Sequence, residues 1–414
     1  MKKYVAIISL VIVSVVLGVC FLSLFKKDKT KKLVFWSVQL KPIYEKQMKK
    51  IISDFENKTG YKVVWVDIPV QEAQKRTLAS ILSSTPPDVV NLNPDFSVLL
   101  AQKNALYTFN NDDVKEYAPA LVEKLKYNNK IYALPYYATS PVTIYNKEIY
   151  NKCIGDEFIK YYTDLSSISK KLKSCSNIPL YSGSINENDT LAKILNKYNI
   201  YNLETNYQKD KAQEIYSLFN DLYKNENLPK DILAINHREN IEKYMSNQAL
   251  IIVAGSNFIN MIKQNAPEIY KKSELAAQLM GDNEKYDVSI MNLIIPLKSK
   301  NIKQAKEFIK LLTNKEHQLE FAKLTNVLPA NKESLEDEYF KNCSADLYQK
   351  SRCIGAKQLK NLVLRDFGSE NKKTINEEIN MTLEEILLNG KITQDEIKAK
   401  IQTLSKEIKL LQVK

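Results

Sequence analysis

Short apolar segments alternate with amphipathic ones early in the chain, and this order constrains the fold more than any other feature. Three segments have the apolar and aromatic content of buried strands, at residues 32–39, 61–68 and 88–93. Between them, residues 41–59 and 72–84 have helical spacing, and Gly60 is placed to end the first helix as a left-handed cap. Strands that alternate with helices at this pace pair in parallel, so the sequence predicts an α/β fold.

The rest of the chain keeps this mixed character. Further strands are predicted at residues 129–135, 141–146, 249–254 and 287–296, and helices at residues 153–245 and 301–326. Near the C-terminus, Gly390 is predicted to close one helix, and Thr393 with Glu396 forms a capping box for the next. A length of 414 residues with 44% hydrophobic residues indicates a globular protein of about two to three domains.

The N-terminal segment is apolar and long. Residues Tyr4 to Phe25 contain no charged side chain, and lysines flank both ends. Because roughly 20 apolar residues cross a bilayer, we expect residues 1–32 to form a retained transmembrane anchor. Two alternatives stay open, a cleaved signal peptide and a lipoprotein signal that ends at Cys20, although Val19 stands where lipoproteins have a small residue. Since both flanks are basic, their charge does not determine the orientation of an anchor. We expect the remaining chain to lie outside the cytoplasm, in the periplasm or on the cell surface.

The positive charge is largely local. Of a net charge of +12, residues 1–32 contribute seven lysines and one aspartate, which leaves 53 basic and 47 acidic residues, or +6. These remaining charges are mixed along the chain, as on solvated helix faces. The sequence therefore predicts no nucleic-acid partner.

Four cysteines beyond the N-terminal segment form two locally spaced pairs. Cys153 and Cys175 are 22 residues apart, and Cys343 and Cys353 are 10 residues apart. An even number of cysteines in an exported chain predicts disulfides, with three connectivities open, of which these pairs close the shortest loops. Four reduced thiols are the alternative. A zinc site is disfavoured, because the sequence has no C-x-x-C and only two histidines.

Catalytic and cofactor motifs are missing from the sequence. It contains neither G-x-G-x-x-G nor G-x-x-x-x-G-K-[ST] nor G-x-S-x-G, so we expect no cofactor. His237 and His317 lie in polar segments and are interpreted as surface residues. Asp67 and Asp95 are the acidic residues at predicted strand ends, so a carbohydrate-active enzyme with paired carboxylates stays an alternative.

Four segments, in this order, resemble one protein family. They are FENKTG followed by KVVWV, then TPPDVVNL, then NNKIYALPYYATSPVTIYNKEIY, and then the stretch from SIMNLIIP to NVLPANK. They resemble the motifs F-E-x-x-T-G-x-x-V, P-D-[VI]-[VI], G-K-x-Y-A-[LV]-P and A-x-x-F-[IL]-x-[FL]-L-[TS] of the extracellular solute-binding proteins of ABC importers. Within that family the chain is similar to the sugar-binding group of the maltodextrin-binding-protein type, over residues 33–410.

The resemblance implies a two-lobed periplasmic-binding-protein type II fold, with a hinge and a cleft between the lobes. It places residues 33–138 and 288–328 in lobe 1, and residues 139–287 and 329–414 in lobe 2. The chain would cross between the lobes near residues 137–141 and 287–292. It implies a monomer that closes on a small solute, most simply a sugar, and delivers it to the importer's membrane subunits. A surface-anchored carbohydrate-active enzyme and a ligand sensor on the same scaffold are the alternatives.

Candidate solute contacts follow from strand ends and from the resemblance. In open α/β sheets, ligands bind beyond the carboxyl ends of the strands. Trp36 offers a flat apolar face on which sugar rings stack, although packing inside its lobe is the alternative. Asp95 could equally cap a helix. The full candidate set is Trp36, Gln39, Asn93, Asp95, Tyr136, Tyr137, Gly255, Ser256, Asn257 and Asn292. These residue types suit sugars, and they also suit polyamines or peptides.

Overall fold

Twelve strands are found in the part of the chain that the structure describes. The structure, a computed structural model, describes residues 31–413 except 42, 158, 188, 344–345 and 365–370. The strands are β1 (Lys32–Val38), β2 (Lys62–Ile68), β3 (Val89–Leu92), β4 (Lys126–Tyr127), β5 (Lys130–Ile131), β6 (Leu134–Thr139), β7 (Pro141–Asn146), β8 (Tyr181–Ser182), β9 (Ile251–Gly255), β10 (Ser273–Ala277), β11 (Ser289–Ile294) and β12 (Leu328–Pro329).

Most strands belong to two separate sheets. The first sheet has the order β12-β6-β11-β3-β1-β2, and the second has the order β10-β7-β9-β8. In the first sheet β1 pairs in parallel with β2 and β3, as predicted, and β11 lies antiparallel between β3 and β6. In the second sheet β7 is antiparallel to both of its neighbours, and β4 with β5 forms a small hairpin elsewhere.

Helices cover both sheets. They are α1 (Glu45–Thr59), α2 (Val70–Leu82), α3 (Pro94–Gln102), α4 (Pro119–Lys124), α5 (Lys147–Cys153), α6 (Asp164–Lys173), α7 (Thr190–Asn196), α8 (Asn206–Lys224), α9 (His237–Met245), α10 (Phe258–Asn265), α11 (Pro267–Lys272), α12 (Ile302–Leu312), α13 (Lys315–Thr325), α14 (Lys332–Leu335), α15 (Glu338–Lys341), α16 (Leu347–Gln358), α17 (Lys372–Leu388) and α18 (Gln394–Val413). A short 3-10 helix spans Asn111–Val114.

Local sequence signals account for several helix ends. Helix α1 ends at Gly60, which has φ 73° and donates its N–H to the Glu56 carbonyl, so the predicted left-handed cap is confirmed. The predicted capping box before α18 is also confirmed, since the Thr393 N–H donates to the Glu396 carboxylate and the Glu396 N–H donates to Thr393 Oγ1.

The two sheets have separate hydrophobic cores. In the first, Phe308 of α12 packs edge-on against Phe35 and Phe55, with ring centroids 5.3 and 5.1 Å apart. The second core is mainly helical and is built from α6 to α8 with α17 and α18, while a smaller cluster lies between β7, β9, β10 and helices α9 to α11. We call the part around the first sheet lobe 1 and the part around the second sheet lobe 2.

The chain passes between the lobes at short segments. Ser140 alone separates β6 of lobe 1 from β7 of lobe 2, and residues 278–288 lead from β10 back to β11. We call these segments the first and second crossings. The expected lobe boundary at residue 329 is too early, because β12 pairs with β6 and Phe340 of α15 lies in the first core. Lobe 1 therefore continues through α15, and the chain passes to lobe 2 a third time between α15 and α17, where α16 contacts strands of both lobes.

The predicted disulfides are present, with the connectivity that closes the shortest loops. Cys153 is bonded to Cys175, and Cys343 to Cys353, with Cα–Cα distances of 5.5 and 5.3 Å. Within the described ranges, no helix is long and apolar enough to cross a membrane. The segment from Tyr4 to Phe25, for which an anchor was predicted, lies outside the described residues.

Candidate functional site

The two sheets meet along their facing edges. Strands β1, β3 and β6 end at one edge of the first sheet, where β11 begins, and Thr139 there pairs with Ser289. The chain continues through the first crossing into β7, so that Pro141 pairs with Gly255 at the end of β9. We call the space between these two edges the cleft. It is where carboxyl-terminal strand ends of both lobes lie, which is the ligand-binding edge of open α/β sheets.

Trp36 lies near the end of β1 and is partly exposed. Like Val66 and Met291, it packs against a small apolar cluster formed by Val38, Ile68 and Ala73. The Arg76 guanidinium of α2 lies 5.9 Å from the ring centroid. Lobe 1 thus covers the ring in part, and the side chain remains partly exposed near the end of β1.

Gln39 follows β1 in a tight turn whose shape Asp67 fixes. Gln39 is exposed and has φ 52°, a left-handed conformation that non-glycine residues rarely adopt. The Asp67 carboxylate accepts hydrogen bonds from the Leu40 and Lys41 N–H groups, both at 3.0 Å, and from Ser37 Oγ at 2.5 Å. Both carboxylate oxygens of Asp67 therefore already accept hydrogen bonds from the backbone of the turn.

Asn93 and Asp95 each have a polar partner near the start of α3. Asn93 caps α3 by accepting a hydrogen bond from the Phe96 N–H at 2.9 Å, so the cap is Asn93 and not Asp95. The Asp95 carboxylate forms an ion pair with Lys372 Nζ at 2.9 Å. Because Lys372 begins α17, which packs in the second core, this ion pair joins the two lobes.

Two further candidates are buried inside lobe 1. Tyr136 is 1% exposed and stacks on Phe321, with centroids 5.4 Å apart, and burial raises its pKa well above the usual value. Asn292 is fully buried and donates to Ser97 Oγ at 2.7 Å. Neither side chain offers surface to the cleft, which corrects the expectation for both. Tyr137 differs, since it is partly exposed while packing edge-on against Phe321.

The loop after β9 reaches across to lobe 1. Gly255 ends the strand, Ser256 is 8% exposed, and Asn257 is exposed just before α10. Asn326 of lobe 1 donates from Nδ2 to the Ser256 carbonyl at 3.4 Å. This loop is therefore a second contact between the lobes, and Asn257 is the member of the three whose side chain faces solvent.

Ser184, His237 and Glu187 form a cluster beside the end of β8 that sequence spacing did not reveal. Ser184 Oγ contacts His237 Nδ1, and the same nitrogen lies 3.1 Å from Glu187 Oε2. A Ser-His-acid triad needs one imidazole nitrogen for the serine and the other for the acid. Because both partners share Nδ1, this cluster cannot relay a proton between them.

In the described part of the chain, no group of three or more His, Cys, Asp and Glu side chains is arranged to hold a metal ion. Near the strand ends that border the cleft are a partly exposed tryptophan, two exposed amide side chains, Gln39 and Asn257, and two carboxylates that already have partners, Asp67 and Asp95. Such a surface can bind a solute without reacting with it.

Known proteins share this architecture. The sequence profile described as "Bacterial extracellular solute-binding protein" matches residues 50–345. The "Multiple sugar-binding protein" of Streptococcus mutans is 23% identical over 324 residues, which are 72% of this chain and 76% of that protein.

Solved structures agree on the fold. The sugar-binding protein MalE of Xanthomonas citri superposes with a TM-score of 0.72 at 15% identity, and covers 92% of this chain and 98% of its own. Maltose-bound MalE3 of T. maritima gives 0.68 at 17% identity, with coverage of 92% and 100%. Since the family profile covers most of the sequence, the chain belongs to the family of bacterial extracellular solute-binding proteins.

Proposed function

We propose that this protein is a receptor that captures a sugar or oligosaccharide in the cleft, by closure of its two lobes, and delivers it to an ABC importer. The observation that carries the proposal is the partly exposed Trp36 ring at the edge where both sheets end. Sugar rings present C–H patches that stack on such aromatic faces. The sugar-binding relative from Streptococcus mutans supports the same class of solute.

The charges near the cleft favour a neutral solute over a polyamine. A cationic solute needs a carboxylate that is free to pair with it. Asp67 is occupied by the turn after β1, and Asp95 already pairs with Lys372. Neutral hydroxyl groups can instead use the exposed amides of Gln39 and Asn257.

Closure needs no chemical step. A solute that contacts both lobes stabilises the closed arrangement by the difference between its affinities for the closed and open states. We further propose that the protein acts as a monomer outside the cytoplasm. Residues 1–32 would hold it at the membrane as a tether, beside the importer subunits that receive the solute.

A thermal-shift screen tests this function. The full chain, purified in detergent, is heated with single sugars, oligosaccharides and amines. A sugar present at a hundred times its dissociation constant stabilises the folded state by about 2.7 kcal/mol. The expected result is stabilisation by one sugar class with no change in that sugar by chromatography. Stabilisation by amines alone would contradict the sugar assignment, and sugar turnover would contradict the receptor.

Substitution of Trp36 then tests the site. We expect Trp36→Ala to weaken binding of that sugar by about tenfold or more, because it removes the stacking surface, and to leave the protein folded. Tyr207→Ala is the matched control, since Tyr207 is an exposed aromatic residue (52%) on α8. Equal affinity of the Trp36 variant and the wild type would remove Trp36 from the site.

A further inference from the structure

A buried glutamine, Gln358, connects the first crossing to the second crossing. Gln358 is the last residue of α16 and is 1% exposed. Its Nε2 donates to Ser140 Oγ at 2.7 Å and to the Pro141 carbonyl at 2.8 Å, both at the first crossing. Its Oε1 accepts from the N–H of Gln278, at 2.8 Å, where the second crossing begins. Every hydrogen-bonding position of this amide except one oxygen lone pair is thus used between the crossings.

A second buried amide, the side chain of Gln278, joins the two ends of the second crossing. The Gln278 side chain donates to the Asp287 carbonyl at 2.9 Å and accepts from the Asp287 N–H at 3.0 Å, so it joins the two ends of the segment. Lys197 adds hydrogen bonds to Gln278 Oε1 at 2.6 Å and to the Leu279 carbonyl at 2.7 Å. Lys197 is 2% exposed and lies 3.3 Å from the Asp287 carboxylate.

Helix α16 lies where it can hold both lobes. It packs on β7 and β10 of lobe 2 and on β12 of lobe 1. Gly355, one turn before Gln358, faces Leu328 and Ser140 so closely that an added Cβ would lie 3.1 Å from a Leu328 methyl carbon. The Cys343–Cys353 disulfide ties the middle of α16 to the segment that follows α15. The position of Gln358 is therefore fixed from both sides.

Buried amides of this kind hold one arrangement in preference to others. An apolar contact tolerates sliding, whereas a buried donor that loses its acceptor costs about 1–3 kcal/mol. If the two crossings moved apart, Gln358 would leave the Pro141 carbonyl or the Gln278 N–H without a partner. The crossings are then expected to twist together while their spacing stays constant.

We propose that Gln358 is the positioning residue of the hinge, which holds the two crossings at a fixed spacing so that the lobes rotate about one axis. The affinity of the cleft then depends on Gln358, although its amide is buried among protein partners and is not available to the solute. This second statement rests on the proposed receptor function. The first does not, since it concerns the arrangement of the lobes alone.

Interlobe distances in the solute-free protein test the first statement. Spin labels are placed on the full chain at the exposed positions Lys103 in lobe 1 and Lys398 in lobe 2. Gln358→Leu is expected to broaden the distance distribution to about twice the wild-type width, because more lobe orientations become accessible. Ser140→Ala removes one of the two acceptors of Nε2, so a smaller change in the same direction is expected, and this variant serves if Gln358→Leu does not fold.

Gln318→Leu is the matched control. Gln318 is also fully buried, and its Oε1 accepts from the Ala330 N–H at 2.7 Å within lobe 1. This variant is expected to lower the melting temperature and leave the distance distribution unchanged. A distribution of wild-type width in folded Ser140→Ala and Gln358→Leu, or equal broadening in Gln318→Leu, would overturn the proposal.

Affinity provides the second measurement. For the sugar found by the thermal-shift screen, Gln358→Leu is expected to raise the dissociation constant about tenfold, as the closed state loses population, while Gln318→Leu leaves it within twofold. Unchanged affinity together with a broadened distribution would restrict Gln358 to a mechanical role. If no sugar binds the wild type, the receptor function fails while the distance measurement still decides the hinge.

Discussion

The two lobes reach the same cleft with different architectures. Lobe 1 has a six-stranded sheet with one main core, and it presents strand ends such as Trp36 to the cleft. Lobe 2 has four strands, of which β8 has two residues, and most of its core lies between helices. It presents loops and helix starts, such as Asn257 and Lys372. The side chains of lobe 1 at the cleft are therefore held by a sheet, whereas those of lobe 2 lie in loops and at the first residues of helices.

Separate cores also predict separate unfolding. The contacts between the lobes include the Asp95–Lys372 ion pair and the Asn326–Ser256 hydrogen bond, both of which are polar and local. Interfaces of this kind couple domains weakly. The two tryptophans of the chain, Trp36 and Trp65, both lie in the first sheet, so tryptophan fluorescence reports on lobe 1.

The largest expected effect comes from removing one buried aromatic ring from the core of either lobe. Phe308→Ala removes a fully buried ring that packs on Phe35 and Phe55, and should cost lobe 1 about 3–5 kcal/mol. Phe219→Ala should cost lobe 2 a similar amount, since Phe219 is also fully buried. In denaturant titrations, the tryptophan fluorescence transition should move for Phe308→Ala and stay for Phe219→Ala. Equal movement in both would show one cooperative unit.

A smaller effect is expected at alkaline pH. Burial raises the pKa of Tyr137 in lobe 1 and of Tyr181 in lobe 2 to about 12, above the ordinary value of 10.0. Below pH 10 both phenols are neutral in the folded and unfolded chain, so this contribution to stability is complete. Between pH 10 and 12 the unfolded chain loses these protons first, which favours unfolding by about 2 kcal/mol per group.

Phenylalanine variants measure this contribution lobe by lobe. Tyr181→Phe should flatten the fall in the free energy of unfolding of lobe 2 between pH 10 and 12, and Tyr137→Phe should do so for lobe 1. Circular dichroism, which weights the helical lobe 2, and tryptophan fluorescence separate the two. If Tyr181→Phe changed the pH dependence of both signals equally, the lobes would not be independent.

The smallest expected effect is at the ion pair between the lobes. Asp95 is 65% exposed, so Asp95→Asn should change the free energy of unfolding by no more than about 1 kcal/mol, and less in high salt. It should separate the two unfolding transitions slightly, because it removes a link between lobes. Asp112→Asn is the control, since the Asp112–Lys115 pair is exposed and lies within lobe 1. Identical effects of both variants on the separation would deny a linking role to Asp95.

Sequence patterns predicted the sheet of lobe 1 better than the boundaries of the lobes. The β1, α1 and β2 segments follow from local apolar spacing, and Gly60 ends α1 because glycine adopts a positive φ readily. The boundary at residue 329 was wrong because β12 has two residues, and its pairing with β6 depends on neighbours distant in sequence. Strand pairs this short leave little pattern in the sequence.

For the candidate residues, the sequence predicted their place on strands better than their side-chain partners. Trp36 was expected to close the first strand, and it lies near the end of β1. Tyr136 and Tyr137 both pack on Phe321, and the sequence does not reveal that α13 places this ring against β6. Asp95 meets a partner 277 residues away, and Gln358 gains its role from crossings more than 70 residues distant. Such contacts exist only once the sheets are assembled.

The position of β11 between β3 and β6 has a consequence for biosynthesis. The middle of the first sheet stays incomplete until the chain has been made past Ser289, whereas β7 to β10 of the second sheet are already available. Newly made β3 and β6 therefore each leave the edge that pairs with β11 unpaired while β7 to β10 are still being translated. This interval is when aggregation is most favourable, and when a chaperone would bind the nascent chain.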